Sequence, residues 1–252
     1  MDEPHPSFQL TIRVAAELRF LLPRDLRERQ TFTHTLQRRA SLKDVVESLG
    51  IPHTEIGALY VGQQPVNFKH PASDRQQVSV HALPVPHNVL QASLLRPHPL
   101  REIRFIVDLN VAHLGRLLRS AGFDASHDPS WSDGELARLA AQQKRILLTR
   151  DRALLRYACV EQGHLVRAVE PRMQLREVIR QYGLQQQLKP FSRCMRCNGQ
   201  LNPVAKHQVL SQLEPLTIRY YEHFKQCRNC GQVYWKGSHQ QGLEAILSGA
   251  LN

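Results

Sequence analysis

The first eighty residues switch between two-residue and helical periods of hydrophobic and polar positions. FQLTIRV (8–14) alternates as a strand, AAELRFLL reads as a short helix, and QTFTHTL alternates again. Ser41 is suited to cap LKDVVESLG, whose Leu42, Val45, Val46 and Leu49 share a face and whose Gly50 stops it. IGALYVG and QQVSVHAL read as two further strands. Residues 7–83 therefore predict a small α+β unit. Residues 84–102 hold four prolines and no sustained period, which predicts a linker.

From Arg104 the pattern becomes a strand–helix repeat. RFIVD is an apolar strand, and Leu114, Leu117, Leu118 and Ala121 give the next helix its buried face before Gly122. FDASHD is a short strand or turn, SDGELARLAAQQ a helix, and RILLT a strand. RALLRYACVEQ reads as a helix, HLVRAV as a strand, and MQLREVIRQYG as a helix ended by Gly183. Such alternation over 103–190 calls for a parallel sheet between helices. No G-x-G-x-x-G follows the first strand and no G-x-x-x-x-G-K-[ST] occurs, so a dinucleotide or P-loop site has no support.

The composition narrows the setting. At 252 residues with 42% hydrophobic positions, the chain can bury a core, and no apolar run of membrane-spanning length is present. MDEPHPSF is acidic and lacks an apolar stretch, so it does not read as a secretory signal, and a cytoplasmic location is expected. Of the net charge of +11, little lies in residues 1–85 (10 Lys/Arg against 9 Asp/Glu). Residues 86–190 carry 16 against 10 and residues 191–252 carry 7 against 3. A basic balance suits a polyanion, although a solvated charged face gives the same count.

Two strands end in acids, Asp108 and Asp151, and Asp133 opens the helix between them. Strand ends of a parallel sheet lie along one edge, where α/β proteins build their sites. Three carboxylates gathered there need a cation, and Mg²⁺ or Mn²⁺ prefers oxygen donors. Each acid also has a structural role available: Asp151 as a helix cap and Asp133 as a first-turn residue facing the helix dipole. Ser132 and Glu135 form a capping-box pair, which assigns Glu135 to the helix start. Asn110 either orients Asp108 or starts the next helix. Asp124 and Asp128 read as solvated turn residues, and Cys159 as a small core residue.

The other four cysteines form two C-x-x-C pairs, Cys194/Cys197 and Cys227/Cys230. Two such turns complete a tetrahedron around a structural Zn²⁺, with Gly199 and Gly231 suited to the tight turns. Tyr234, Trp235 and nearby lysines serve either a small ribbon core or stacking on RNA, with the core favoured for Tyr234. His239 is a spare zinc donor.

The phrases RQTFTHTL, SLKDVVESLGIPHTEIGALYVG and PVNF resemble the ubiquitin-like β-grasp domain found ahead of certain PIN-type nucleases. Sulfur-carrier proteins of similar outline end in Gly-Gly, whereas LPVPHNVL follows here, so an interaction module with a protein partner is expected instead. VDLNV and SDGELARLAAQQKRILLTRDRALL resemble the PIN-domain ribonucleases. That resemblance implies that Asp108, Asp133 and Asp151 hold the catalytic divalent metal. Many PIN domains add an acid on an intermediate helix, and no residue of 109–132 matches it. With PFSRCMRCNGQL and CGQVYWKGSH added, about residues 7–240 resemble the Mut-seven-C RNase family.

The resemblance implies an α/β chain of three parts: a β-grasp domain (7–83), a PIN-like three-layer domain (103–190) beyond the linker (84–102), and a zinc ribbon (191–240). It implies a metal-dependent ribonuclease with RNA as substrate, Mg or Mn at the aspartates and Zn at Cys194, Cys197, Cys227 and Cys230. The rival is a non-enzymatic RNA- or protein-binding adaptor on a degenerate PIN scaffold. A DNA-binding regulator would need a helix-turn-helix, which is not recognisable.

Overall fold

The computed structural model describes residues 7–235; the readings of MDEPHP and of His239 lie outside the described residues. The chain opens with β1 (Phe8–Val14), α1 (Ala16–Arg19), β2 (Thr31–Leu36), α2 (Leu42–Ser48), β3 (Ile56–Val61), β4 (Gln64–Val66) and β5 (Gln77–Ala82). These strands form one sheet in the order β2-β1-β5-β3-β4, with β1 and β5 parallel and the other pairs antiparallel. This is the ubiquitin-like arrangement.

Alternation decides which side of each strand is buried. In β1, Leu10, Ile12 and Val14 are buried while Gln9, Thr11 and Arg13 are exposed. Leu42, Val45 and Val46 of α2 are buried as their shared face requires. Ser41 accepts from the Asp44 N–H and Asp44 reaches back to the Ser41 N–H, so the cap is reciprocal. The strand absent from the pattern reading is β4, which pairs with β3 across Gly62 at φ +60°.

The middle of the chain forms β6 (Arg104–Val107), α3 (Ala112–Ser120), β7 (Asp124–Ser126), α4 (Asp133–Gln142), β8 (Ile146–Thr149), β9 (Gly163–Leu165) and α5 (Pro171–Tyr182). The sheet order is β7-β6-β8-β9, with β6 parallel to β7 and β8 parallel to β9. All four residues of β8 are buried, as an apolar run without alternation demands. Of HLVRAV only His164 and Leu165 lie in a strand, within β9.

RALLRYACVEQ is not a helix. Only the 3-10 turn Leu154–Arg156 forms, and Tyr157 then turns to ψ 129°. Leu154 and Leu155 are both buried within this turn, and the loop after it carries Cys159 outward. Cys159 is therefore exposed rather than a core residue.

The last part is a three-stranded antiparallel sheet, β10 (Leu201–Val204), β11 (Phe224–Cys227) and β12 (Val233–Trp235), with α6 (Lys206–Val209) and α7 (Pro215–Tyr220) between the first two. Val209, Leu213, Phe224 and Val233 form its small core. No helix among the described residues is long and apolar enough to cross a membrane.

Contacts divide the chain into two compact units. One is Met1–Glu102 with Trp131–Leu165; the other is Ile103–Ser130 with Val166–Asn252. In the first unit, residues 84–102 form no helix or strand, yet Val89, Leu95, Arg96 and Leu100 are buried. The Arg96 guanidinium donates to the carbonyls of Ile56, Thr54, His53 and Glu161. Glu55 accepts from the Leu165 N–H, and His53 lies between the Glu47 carboxylate and the Val160 carbonyl at 2.6 Å from each. At Gly163 a Cβ would come within 2.7 Å of Leu155 Cδ2 and 3.4 Å of Thr54 Cγ2, so a larger residue would require the Leu155 side chain to shift.

Candidate functional site

Asp108 follows β6 and begins the 3-10 turn Leu109–Val111 with φ −67° and ψ 155°. Asn110, itself within that turn, donates to its Oδ2 at 2.6 Å and so contacts the carboxylate while taking part in the helix start. On the same side of the chain, His127 Nδ1 lies 3.0 Å from the Val107 carbonyl.

Asp133 is the first residue of α4, and its exposed carboxylate makes no hydrogen bond among the described residues. The capping is done by its neighbours. Ser132 accepts from the Glu135 N–H, and Glu135 accepts from the Ser132 N–H at 2.9 Å. These bonds hold the Glu135 carboxyl below the usual carboxylate range, backbone first and hydroxyl second.

Asp151 stands just past β8, half-buried. Its Oδ1 accepts from the Ala153 N–H at 2.7 Å, and its own N–H donates to Thr149 Oγ1 at 2.9 Å. The cap reading thus holds for one oxygen, while Oδ2 has no hydrogen-bond partner among the described residues. Asp133 and Asp151 belong to the same unit, and the Tyr157 ring lies 4.0 Å from where a Cβ on Gly134 would stand.

Asp124 departs from the solvated reading. It accepts from Asn198 Nδ2 at 2.8 Å and pairs with Arg193 at 3.4 Å, tying β7 to the first cysteine turn. Asp128 is fully exposed and accepts from the Ser130 hydroxyl and N–H, which hold its carboxyl below the usual range.

The four cysteines converge. Cys194, Cys197, Cys227 and Cys230 place their sulfurs within 4.8 Å of one another, and among the described residues no other group of three or more His, Cys, Asp or Glu donors is gathered so closely. The separations include 3.6 Å for Cys194–Cys230 and 3.3 Å for Cys197–Cys227, far longer than a disulfide. Sulfurs about 2.3 Å from a tetrahedral zinc would stand about 3.8 Å apart, so the set is consistent with a structural zinc.

Electrostatics within the cluster favour the same ion. Burial opposes ionisation of Cys194, but hydrogen bonds from Tyr234, from the Cys197 and Arg196 N–H groups and from Cys230 bring its thiol down to about 7. Burial and its sulfur neighbours push Cys197 up to about 12. Four thiolates this close need a dication between them.

The surroundings are built around the cluster. Tyr234 places its hydroxyl 3.1 Å from Cys194 Sγ and accepts from the Met195 N–H. Buried Arg119 donates to the carbonyls of Ala125, Met195 and Arg196. A Cβ at Gly199 would approach Cys227 Sγ to 2.9 Å, whereas the left-handed turn falls on Asn198 at φ 66°. Trp235 packs its ring 6.3 Å from Phe224, and Lys225 donates to the Phe191 carbonyl, so both serve the ribbon core.

Arg96 and Arg119 were invisible to the pattern reading. A buried arginine whose partners are carbonyls leaves no periodic trace, and nothing local distinguishes it from a surface arginine.

The profile of a family described as "Mut7-C RNAse domain" matches residues 103–247, and one described as "Mut7-C ubiquitin" matches residues 8–89. No curated protein and no solved structure matches the chain.

Proposed function

The chain belongs to the Mut7-C RNase family, and from that premise we propose a divalent-metal-dependent ribonuclease whose ion is held by Asp108, Asp133 and Asp151. The family implies ribonuclease activity and RNA as substrate. The observation that carries the metal reading is Asp151: one oxygen is fixed by the Ala153 N–H, so the other is held in a defined direction with no hydrogen-bond partner among the described residues. Asp133 offers a carboxylate that its own helix does not use for capping. Asp108 enters as the acid that ends β6 in the D-x-N setting that resembles the PIN nucleases. All three donors are carboxylate oxygens, which fits Mg²⁺ or Mn²⁺ rather than a soft ion.

Mg²⁺ or Mn²⁺ bound there would lower the pKa of a coordinated water and offset charge on the scissile phosphate. The residues around it position donors. Asn110 fixes the Asp108 carboxylate, while Thr149 and the Ala153 N–H fix Asp151. Glu135 is committed to the helix cap and takes no part.

Purified protein incubated with mixed RNAs should cleave only with Mn²⁺ or Mg²⁺ present. Asp151→Asn should lose at least about a hundredfold in rate, as expected for removing a charge-stabilising group. An Asp151→Asn protein as active as the parent would sink the metal reading. RNA binding without cleavage by the parent under any divalent ion would favour the adaptor.

A further inference from the structure

Three guanidinium groups lie close enough to repel one another, two of them supplied by the chain just after Asp151 and one by the ubiquitin-like fold. Arg152 Nη1 donates to the Leu21 carbonyl at 3.1 Å, and Arg27 Nε donates to the adjacent Leu22 carbonyl at 2.9 Å. Neighbouring carbonyls of one turn therefore hold both side chains. Arg152 also lies 5.8 Å from the centre of the Phe20 ring. Arg156 Nη1 donates to the Glu47 carbonyl at the end of α2, at 3.2 Å.

None of the three arginines forms an ion pair among the described residues. Asp25 and Glu28, their neighbours in sequence, pair with none of them, and the Glu47 carboxylate is taken by His53 at 2.6 Å. Carbonyl partners orient a guanidinium without offsetting its charge. Burial, and then the like charges of Arg27 and Arg156, hold Arg152 below its ordinary range. Arg27 and Arg156 are exposed and Arg152 half-exposed, so their remaining N–H groups face solvent.

A scattered charged face would spread such groups apart. Here three are collected, aimed by backbone carbonyls and without an ion pair among the described residues, two of them from the chain just after an aspartate of the candidate site. Arginine forks match phosphate oxygens in pairs.

We propose that Arg27, Arg152 and Arg156 form a phosphate-gripping patch for single-stranded RNA, and that supplying this patch is what the ubiquitin-like fold contributes to the nuclease. The proposal rests on the ribonuclease reading for its substrate. The Phe20–Arg29 turn and α2 act as the fixed support of a substrate track that leads to Asp151, and the patch binds by backbone charge without reading bases.

The test measures binding of a fluorescein-labelled oligouridine in EDTA, so that binding is separated from cleavage, across a range of salt concentrations. Each phosphate contact to a single strand adds about 0.7 to the slope of log affinity against log salt, so R27Q/R156Q should lower that slope by roughly 1.4 and weaken binding on the order of tenfold. R27K/R156K keeps the charges and should keep the parental slope. Arg152 packs on Phe20, and leaving it intact protects the fold. Unchanged slope and affinity in R27Q/R156Q would overturn the patch, even if the parent cleaves RNA. A parent that never cleaves, with binding lost in R27Q/R156Q, would overturn the ribonuclease reading and leave the patch standing.

Discussion

The two units face the same structural task and solve it with different chemistry. Each joins an accessory fold to a stretch of the nuclease region, and each does so through a buried arginine that donates to backbone carbonyls on both sides. In the first unit Arg96 bridges 53–56 and Glu161; in the second Arg119 bridges Ala125 and the 195–196 turn. The difference lies in what surrounds them. Arg96 sits among titratable groups: His53 with Glu47, His164 3.4 Å from Glu55, and buried His87. Arg119 sits beside four sulfurs that suit a metal. One joint should therefore answer to acid and the other to chelation.

The largest expected effect is on the cysteine side. Structural zinc contributes an apparent free energy on the order of 10 kcal/mol in small zinc-binding folds, more than three short strands can replace. Chelation or Cys227→Ser should expose the β10–β12 amides to hydrogen exchange while leaving those of β1–β5 protected. Equal protection before and after zinc loss would contradict the comparison.

Next come the arginines themselves. Arg96→Met should cost roughly 3 kcal/mol, because it removes charged hydrogen bonds and leaves buried carbonyls without donors; Arg119→Met should cost slightly less, with fewer carbonyls served. Urea midpoints would report both. Substitutions that left the midpoints alone would mean that apolar packing, not these bonds, makes the joints.

Acid should act on the first unit. Burial, and then the Arg96 charge, lower His87 from its ordinary 6.5 to about 4, with the Gln162 hydrogen bond opposing and His164 adding to the shift. Above pH 6.5 both folded and unfolded forms are neutral there and nothing is lost. As pH falls from 6.5 towards 4, the unfolded chain takes up a proton that the folded chain refuses, and stability declines on the order of 2 kcal/mol. His87→Gln should flatten the melting temperature across that window, and an unchanged slope would remove His87 from the account.

The smallest effect probes α4. Ser132→Ala deletes the cap and should cost about 1 kcal/mol in a thermal melt. It leaves the Asp133 carboxylate in place, so a far larger loss would give Ser132 a second role.

Much of this was legible in the residues. Alternation gave β1, β2 and β5 because one sheet face is buried, and the apolar run 146–149 gave β8 because both faces are. The cysteine site was readable because its donors are close in sequence and their spacing sets the turn. The reading of RALLRYACVEQ failed for a tertiary reason. Leu154 and Leu155 are buried in a single 3-10 turn and the backbone leaves the helical region at Tyr157, so helical spacing in the sequence did not decide the backbone. Asp124 was misread because its partners Arg193 and Asn198 lie about 70 residues on. Arg96 hid in a proline-rich stretch that composition marks as a linker. That stretch, without helix or strand, also buries Val89, Leu95 and Leu100.

One consequence follows from the turn around Gly163. The nuclease half of the first unit is shaped to its neighbour: Leu165 donates to Glu55, Val160 accepts from His53, and Gly163 packs tightly against the end of Leu155 and beside Thr54. A chain begun at Ile103 would expose that imprint as an empty socket of orphaned polar groups. Relatives that dispense with the ubiquitin-like fold should therefore carry a different loop there, with the glycine relaxed and both arginines after Asp151 free to change.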